Sequence, residues 1–240
     1  MILVLGGTTE SRQLAEALTG TEVITSLAGR TADLRKPVGQ VRVGGFGGAE
    51  GLAAWLRLNP VDAVIDATHP FAAQITANAA AAARETGVPH LVLRRPGWTA
   101  APGDTWHWTD STQEAAALLP TLGKRVFLTI GRQGLSAFKN TGLWTLARCV
   151  DPPEPRPTWC TLLLARGPFA EADELALLDQ HHIDLLVTKD SGGGATAAKL
   201  TAARRREIPV VLIRRPALPP GTTAVDSIDD VLVWLGSQPR

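Results

Sequence analysis

The sequence predicts an α/β fold built from two doubly wound parallel sheets. Short, uninterrupted apolar runs alternate with stretches of helical periodicity along most of the chain, which is typical of strands joined by helical crossovers. Glycine-rich turns follow several of these runs. The motif Arg94-Arg95-Pro96, which closes one strand, returns as Arg214-Arg215-Pro216 after a strand of the second half. Together these observations indicate one α/β plan used twice.

The chain opens on a strand, a tight turn and a helix. Ile2–Leu5 is wholly apolar, as in a parallel strand buried on both faces, and Leu14 and Leu18 recur at helical spacing. A glycine turn before a helix exposes backbone N–H groups that attract phosphate. We therefore predict a nucleotide site at the turn, formed by Gly6, Gly7, Thr8, Thr9 and Glu10. The third glycine of the full dinucleotide motif is absent, so a purely structural turn stays an alternative.

Further elements follow in the same alternation. Apolar runs predict strands at 22–26, 41–43, 61–66, 89–93, 125–130, 144–147, 162–165, 185–188 and 210–213. Helical patterns cover 52–58 and 72–85, and another helix is predicted to start at 135–138. Residues 97–112 break the rhythm with three tryptophans, Pro102 and Gly103, and they are interpreted as a connection.

An internal repeat suggests where the domains lie. Residues 62–66 and 87–96 match 184–188 and 207–216 in residue type and in spacing. Duplication explains this better than the chance similarity of two α/β halves. We predict an N-terminal domain at 1–100, a connection at 101–123 and a C-terminal domain at 124–240. Two such domains facing one another predict a cleft for a large ligand.

Composition excludes several classes of function. The 240-residue chain is 45% apolar and carries a formal net charge of +1, which gives no reason to expect nucleic acid or a membrane as partner. Its two cysteines lack any metal-ligand spacing, so we predict no metal site and a reducing, cytoplasmic environment. No signal peptide or membrane-spanning run is predicted.

Candidate cofactor contacts lie after the second and third strands. An arginine after the second strand of a dinucleotide fold accommodates a 2′-phosphate, so Arg30 favours NADPH over NADH; a solvated arginine is the alternative. Four glycines around Phe46 suggest backbone kept bare for a ligand, with Gly45, Phe46 and Gly47 as contacts, although a merely flexible loop has the same composition.

The stretch Asp66-Ala67-Thr68-His69-Pro70-Phe71 ends the strand beside the expected cofactor. Thr68, His69 and Pro70 are predicted cofactor contacts. His69 and Asp66 are candidate catalytic residues, because an imidazole exchanges protons near neutral pH. The structural alternative is that Asp66 accepts from loop N–H groups and His69 only fixes the loop.

The second half offers cationic and glycine-rich loops suited to binding an anion. Lys189 is a candidate catalytic and substrate-binding residue, with a local ion pair to Asp190 as the alternative. The other predicted substrate contacts are Gly131, Arg132, Arg166, Ser191, Gly192, Gly193 and Lys199.

Taken together, these phrases resemble one family. LGGTTESRQLA, SLAGR, GGFGG, DATHPFA, LRRPGW, TIGRQGLSAF, KDSGGG and IPVVLIRRP look like the precorrin-6A and cobalt-precorrin-6A reductases of cobalamin biosynthesis. The resemblance runs from Met1 to about Pro216, and DATHPFA beside GGFGG is its most distinctive part.

The resemblance implies NADPH-dependent reduction of one double bond in a corrinoid-precursor macrocycle, with hydride from the nicotinamide and a proton from an acid or water. It also implies two Rossmann-like domains, with exchange of terminal strands as an option. The presence of cobalt in the substrate and the oligomeric state stay open. Two alternatives remain: an NADP-dependent reductase of a small cyclic imine, and a nucleotide-binding sensor without turnover.

Overall fold

The computed structural model describes residues 1–29 and 37–238. Over these residues the strands are β1 (Ile2–Leu5), β2 (Val23–Leu27), β3 (Gln40–Val43), β4 (Ala63–Asp66), β5 (His90–Leu93), β6 (Trp106–Thr109), β7 (Arg125–Thr129), β8 (Trp144–Cys149), β9 (Thr161–Leu164), β10 (Leu185–Lys189), β11 (Val210–Ile213) and β12 (Ala224–Val225). The α-helices are α1 (Thr9–Ala17), α2 (Gly48–Leu58), α3 (Ala73–Thr86), α4 (Thr112–Leu122), α5 (Glu171–Gln180), α6 (Ala198–Arg205) and α7 (Ile228–Gly236). The helix predicted to start at 135–138 is a 3₁₀ helix, Arg132–Phe138.

The chain divides into two compact units, Met1–Pro96 with Pro216–Arg240, and Gly97–Arg215. The first unit holds a parallel sheet in the order β12-β5-β4-β1-β2-β3. This is the doubly wound order, in which the strand sequence reverses direction between β1 and β4. Leu5 pairs with Asp66 across that point, so the loops after β1 and β4 begin side by side.

The core of the first unit lies on both faces of its sheet. Successive side chains of a strand point to opposite faces. Ile2 and Val4 therefore pack with apolar residues of α1 and α7, whereas Leu3 and Leu5 pack with those of α2 and α3. Because both faces are covered, β1 carries no polar residue.

The second unit repeats this plan, with the strand order β6-β11-β10-β7-β8-β9, again all parallel. The sixth strand of each sheet is exchanged between the two halves of the repeat. The chain leaves β5 and forms β6, which pairs with β11; it leaves β11 and forms β12, which pairs with β5. The predicted fold class is thus confirmed, together with the strand exchange that the resemblance allowed.

The units divide the chain differently from the boundaries that we predicted. Residues 101–123, predicted as a connection, contain β6 and α4 and belong to the second unit, and residues 216–240 belong to the first. The strand Trp106–Thr109 was missed because it lies at the edge of its sheet and is only partly buried, so it lacks a continuous apolar run. Among the described helices, none has the length and hydrophobicity to span a membrane.

Candidate active site

The residues predicted to bind the cofactor lie on one edge of the first sheet. The turn at Gly6–Glu10 follows β1, the glycine loop follows β3, and Asp66 ends β4. Since the carboxyl ends of parallel strands share an edge, the structure brings these three segments together. Arg30 lies outside the described residues.

Gly6 and Gly7 of the first turn favour glycine for two different structural reasons. A Cβ on Gly6 would lie 2.8 Å from Cγ2 of Thr25, so only glycine allows β1 and β2 to pack this closely. Gly7 has φ +118°, a conformation that side chains disfavour, and open space surrounds the position of its missing Cβ. The turn is therefore both tight and bare on one side.

A reciprocal cap begins α1. The hydroxyl of Thr8 accepts from the Ser11 N–H at 3.1 Å, and the Ser11 hydroxyl accepts from the N–H groups of Gly7 and Thr8 at 3.1 Å. The Gly6 N–H donates to the Ser26 carbonyl at 2.9 Å. The N–H groups of Gly6, Gly7 and Thr8 therefore already have acceptors within the protein. Helix geometry leaves those of Thr9 and Glu10, in the first turn of α1, without an acceptor inside the helix.

Glu10 forms a half-buried ion pair with Arg95, which follows β5. The Arg95 Nη1 donates to Glu10 Oε2 at 2.6 Å. The pair fixes the Glu10 side chain and brings a guanidinium to the first turn. We did not predict Arg95 as a site residue, although the Arg-Arg-Pro repeat marked its position.

Arg42 organises the glycine loop after β3. Its guanidinium donates to the carbonyls of Gly44 at 2.6 Å and Gly45 at 2.7 Å and stacks 3.8 Å from the centre of the Phe46 ring. Phe46 also meets the Trp55 ring edge-on at 5.6 Å. Arg42 was not among the predicted site residues. Its position two residues before the glycines was the available signal.

Asp66 is buried at the end of β4 and accepts on one carboxylate oxygen. Its Oδ1 receives bonds from the Thr68 N–H at 3.0 Å and the Thr68 hydroxyl at 2.6 Å. Its Oδ2 is also buried and has no donor among the described residues. His69 Nδ1 accepts from the Phe71 N–H at 3.2 Å, so the neutral imidazole carries its proton on Nε2. The loop thus holds both an oriented carboxylate and an oriented imidazole.

In the second unit, the predicted substrate contacts other than Lys199 also lie on one sheet edge. Gly131 and Arg132 follow β7, Arg166 follows β9, and Lys189 ends β10 ahead of Ser191, Gly192 and Gly193. Burial lowers the pKa of the half-buried Lys189 amine.

The loop that follows Lys189 is tied to Trp98. Asp190 accepts from the Trp98 N–H at 3.0 Å and pairs with the Arg215 Nε at 3.1 Å. The indole of Trp98 donates to the Gly193 carbonyl at 3.0 Å. Asp190 thus accepts from Trp98 and Arg215 and anchors the loop, a role that the sequence did not indicate.

Lys199 lies in the interior and not on a ligand-facing loop. It is 4% exposed, and its amine donates to the Thr196 carbonyl at 2.8 Å. Burial, followed by the charge of Arg148, lowers the pKa of this amine to about 7, and Glu174 opposes this shift. This placement departs from the predicted direct contact with substrate, because the amine is buried and bonded to the backbone of its own segment.

The second glycine turn differs from the first. Ile130 occupies the place of Gly6 and is buried, and Gly131 has φ +76°. The helix that follows is the 3₁₀ helix at 132–138, with no side-chain cap at its start. The two turns are related by position in the repeat but not by local chemistry.

The comparisons with known proteins cover nearly the whole chain. The family model described as Precorrin-6x reductase CbiJ/CobK matches residues 1–236. The chain belongs to this family. It is 59% identical to a precorrin-6A reductase of Rhodococcus erythropolis, covering 100% of this chain and 98% of that one. It is 50% identical to the precorrin-6A reductase of Mycobacterium tuberculosis, with 99% and 98% covered.

A solved structure of the CbiJ/CobK family agrees with the fold. The structure named CobK precorrin-6A reductase superposes with a TM-score of 0.91 at 42% identity, covering 99% of this chain and 96% of that one. The resemblance to the precorrin-6A reductases is therefore confirmed. Membership of this family makes the chain an oxidoreductase. Among the described residues, no group of three or more histidine, cysteine, aspartate or glutamate side chains could hold a metal ion.

Proposed function

We propose that the protein reduces one double bond of the precorrin-6A macrocycle with NADPH. The observation that carries this is full-length similarity, at 50% identity or more, to relatives named precorrin-6A reductase. Those names specify the cobalt-free ring, so we infer that the substrate lacks cobalt. The reaction consumes a hydride and a proton and releases NADP⁺ and a dihydro product.

The first unit is proposed to hold the cofactor. The tight Gly6-Gly7 turn and the N–H groups of Thr9 and Glu10, at the start of a capped α-helix, suit a pyrophosphate. Gly45 and Gly47 leave backbone open beside Phe46. Arg30 is proposed to contact the 2′-phosphate, and Thr68, His69 and Pro70 are proposed to line the nicotinamide end.

The second turn suits a cofactor less well than the first. Ile130 fills the place where Gly6 leaves room, and the 3₁₀ helix that follows has no side-chain cap at its start. We therefore assign NADPH to the first unit and the macrocycle to loops of the second. Arg132, Arg166 and Lys189 are proposed to meet substrate carboxylates, because arginine can bind a carboxylate through two parallel bonds. Ser191, Gly192 and Gly193 would add loop contacts.

NADPH supplies the hydride when bound. The protein must orient the ring, exclude water and deliver a proton. Asp66, held through Thr68, and His69, whose Nε2 carries the proton when neutral, are the proposed proton carriers of the first unit. Lys189 is the proposed carrier of the second, because its lowered pKa makes the ammonium a stronger acid near neutral pH.

The proposal is tested by following NADPH absorbance after mixing the purified protein with precorrin-6A, cobalt-precorrin-6A or a small cyclic imine under anaerobic conditions. We expect oxidation with precorrin-6A and formation of the dihydro product. Oxidation with the imine alone would contradict the proposal and indicate a different reductase. Tight NADPH binding without turnover on any of the three would indicate a nucleotide sensor.

A further inference from the structure

Gly97 and Trp98 end the motif LRRPGW and belong to neither set of proposed ligand contacts. They open the second unit, immediately after the chain leaves the first one at Pro96. The ring of Trp98 is half-buried and packs against the core cluster that contains Phe127 and Leu186. The core of the second unit therefore keeps this ring in place.

Trp98 bonds the loop after β10 at two points. Its backbone N–H donates to Asp190 Oδ1 at 3.0 Å, and its indole Nε1–H donates to the Gly193 carbonyl at 3.0 Å. A single residue thus bonds both ends of the segment 190–193. That segment includes the proposed substrate contacts of this loop.

Gly97 is required for the first of these bonds. A Cβ on Gly97 would lie 2.7 Å from Asp190 Oδ2 and 3.2 Å from Oδ1. The carboxylate would not move away easily, because Asp190 is 8% exposed and also pairs with the Arg215 Nε at 3.1 Å. A residue without a side chain therefore lets Asp190 approach the Trp98 N–H.

Lys199 bonds the far end of the same loop and contacts the same ring. Its amine donates to the Thr196 carbonyl at 2.8 Å and lies 4.9 Å from the centre of the Trp98 ring. A protonated amine at this distance is attracted to an indole ring. The loop is thus attached at Asp190, Gly193 and Thr196, and Trp98 makes two of these attachments directly.

The composition of the loop explains why such attachment matters. Gly192, Gly193 and Gly194 are consecutive, and the first two have φ of +65° and +71°. Glycine loses more conformational freedom on ordering than any other residue. A glycine loop that becomes ordered only when a ligand binds therefore lowers the affinity for that ligand. Attachment to Trp98 orders the loop beforehand.

Lys189 is held independently of Trp98. It is the last residue of β10 and pairs with Ile213 of β11. The N–H of the next residue, Asp190, donates to the Ile213 carbonyl at 3.0 Å. The sheet therefore keeps this proposed proton carrier in place whether or not the loop is ordered. Loss of the Trp98 bonds should accordingly affect substrate binding more than the chemical step.

We propose that Trp98 is a positioning residue, which holds the segment 190–193 in the conformation that binds the substrate. It acts through its two N–H groups on Asp190 and Gly193 and needs no contact with the substrate itself. The proposal rests on the proposed function, which assigns the precorrin-6A macrocycle to loops of the second unit.

The kinetic test compares Trp98→Phe with Trp106→Phe. Both changes remove an indole N–H and keep an aromatic ring, but the buried Trp106 Nε1 has no acceptor in the part of the chain that the structure describes. We expect Trp98→Phe to raise KM for precorrin-6A ~3- to 10-fold, the range for one lost hydrogen bond, and to change kcat less than ~2-fold. Trp106→Phe should change neither. Equal rises in KM for the two variants would overturn the proposal.

Gly97→Ala tests the other bond while the indole stays in place. Its methyl group would displace the Asp190 carboxylate from the Trp98 N–H, so a similar rise in KM is expected. Amide hydrogen exchange of the full chain with bound NADP⁺ is followed by mass spectrometry on the peptide that covers 190–197. Exchange there should be faster in Gly97→Ala and Trp98→Phe than in the wild type and Trp106→Phe. Unchanged exchange in both would overturn the proposal.

Binding without turnover separates this inference from the proposed reaction. NADP⁺ supplies no hydride, so titration with precorrin-6A in its presence gives the substrate Kd. A protein that binds precorrin-6A less tightly as Trp98→Phe, but does not reduce it with NADPH, would support the positioning role and contradict the proposed function. Normal activity with the same Kd and KM in Trp98→Phe as in the wild type would overturn the positioning role and leave the proposed function intact.

Discussion

The hydroxyl of Thr8 donates a buried 2.8 Å hydrogen bond to the carbonyl oxygen of Ala67. The same hydroxyl caps α1 by accepting from the Ser11 N–H. One side chain thus joins the turn after β1 to the loop after β4, the two segments that are proposed to hold the cofactor.

Replacing Thr8 with valine should loosen both segments at once. The change removes a helix cap and a buried hydrogen bond, each worth about 1 kcal/mol, so we expect the free energy of unfolding to fall by ~1–3 kcal/mol in urea titrations. The NADPH Kd should rise as well. Thr8→Ser keeps the hydroxyl and should lie within ~0.5 kcal/mol of the wild type. Equal stability of the valine and serine variants would contradict the bridging role.

Arg30 and Arg42 are expected to affect the cofactor in different ways. Arg30→Ala should weaken NADPH ~10- to 100-fold and NADH little, because only NADPH carries the 2′-phosphate. Arg42→Gln should weaken both cofactors to a similar extent, since its guanidinium already bonds the carbonyls of Gly44 and Gly45. Calorimetric titration of each variant with each cofactor measures this. An equal loss of both cofactors in Arg30→Ala would remove its assignment to the 2′-phosphate.

Gly51 should tolerate no side chain. A Cβ there would lie 1.8 Å from the Phe46 carbonyl oxygen, so Gly51→Ala must displace either the glycine loop or α2. We expect a loss of more than ~2 kcal/mol in the free energy of unfolding, as for other overpacked sites. Gly236→Ala is the matched control, because Gly236 is also helical and has open space at its Cβ. It should be neutral or stabilising by less than ~1 kcal/mol.

The sequence predicted those parts of the fold and site that depend on local pattern. Ile2–Leu5 and Val210–Ile213 are observed with the predicted bounds because both are buried on two faces and read as continuous apolar runs. The strand β6 was missed because its four residues, Trp-His-Trp-Thr, do not form such a run. Strand exchange also has no local signature: Trp106–Thr109 has the same sequence whichever sheet it joins.

The side-chain contacts of the site were predictable from the sequence only to the same extent. The loops were identified by their glycines and by Asp66, but the contacts of Arg42 with Gly44 and of Arg95 with Glu10 depend on the fold. Lys199 illustrates the reverse case. Its place after a glycine-rich loop suggested an anion site, whereas helix packing turns its amine into the interior.

Asp66→Asn tests the proposed proton carrier. An amide keeps an acceptor for Thr68 but cannot take up and release a proton near neutral pH, so we expect kcat to fall ~10²- to 10⁴-fold with the NADPH Kd unchanged. Asp62→Asn is the control, because Asp62 immediately precedes the same strand, β4, and its side chain is 79% exposed. Unchanged kcat and pH profile in Asp66→Asn would assign the proton to another group.

Lys199 should make stability depend on pH. Its pKa in the folded protein is about 7, below the ordinary value of 10.5, so between these pH values the unfolded chain binds more protons than the folded one. The contribution of Lys199 to the free energy of unfolding therefore increases as pH rises from 7, by at most ~1.4 kcal/mol per pH unit.

The measurement is the difference in free energy of unfolding between the wild type and Lys199→Met, taken in urea from pH 6 to 9.5. We expect the wild type to gain on the variant as pH rises above 7. Lys139→Met, at an exposed lysine, should show a constant difference from the wild type. Parallel curves for Lys199→Met would show that the amine is not buried in its neutral form.

The exchanged strands also determine when the protein can be completed during synthesis. β12, which pairs with β5, is encoded roughly 130 residues after it, so the first sheet stays at five strands until β12 has left the ribosome. At usual elongation rates this is a delay of ~7–26 s. Meanwhile β5 presents an open edge, and β6 with α4 emerges next as the nearest strand and helix able to cover it. The nascent chain must therefore keep β6 for β11, and any mutation that speeds the pairing of β6 with β5 would yield a compact but wrongly connected product.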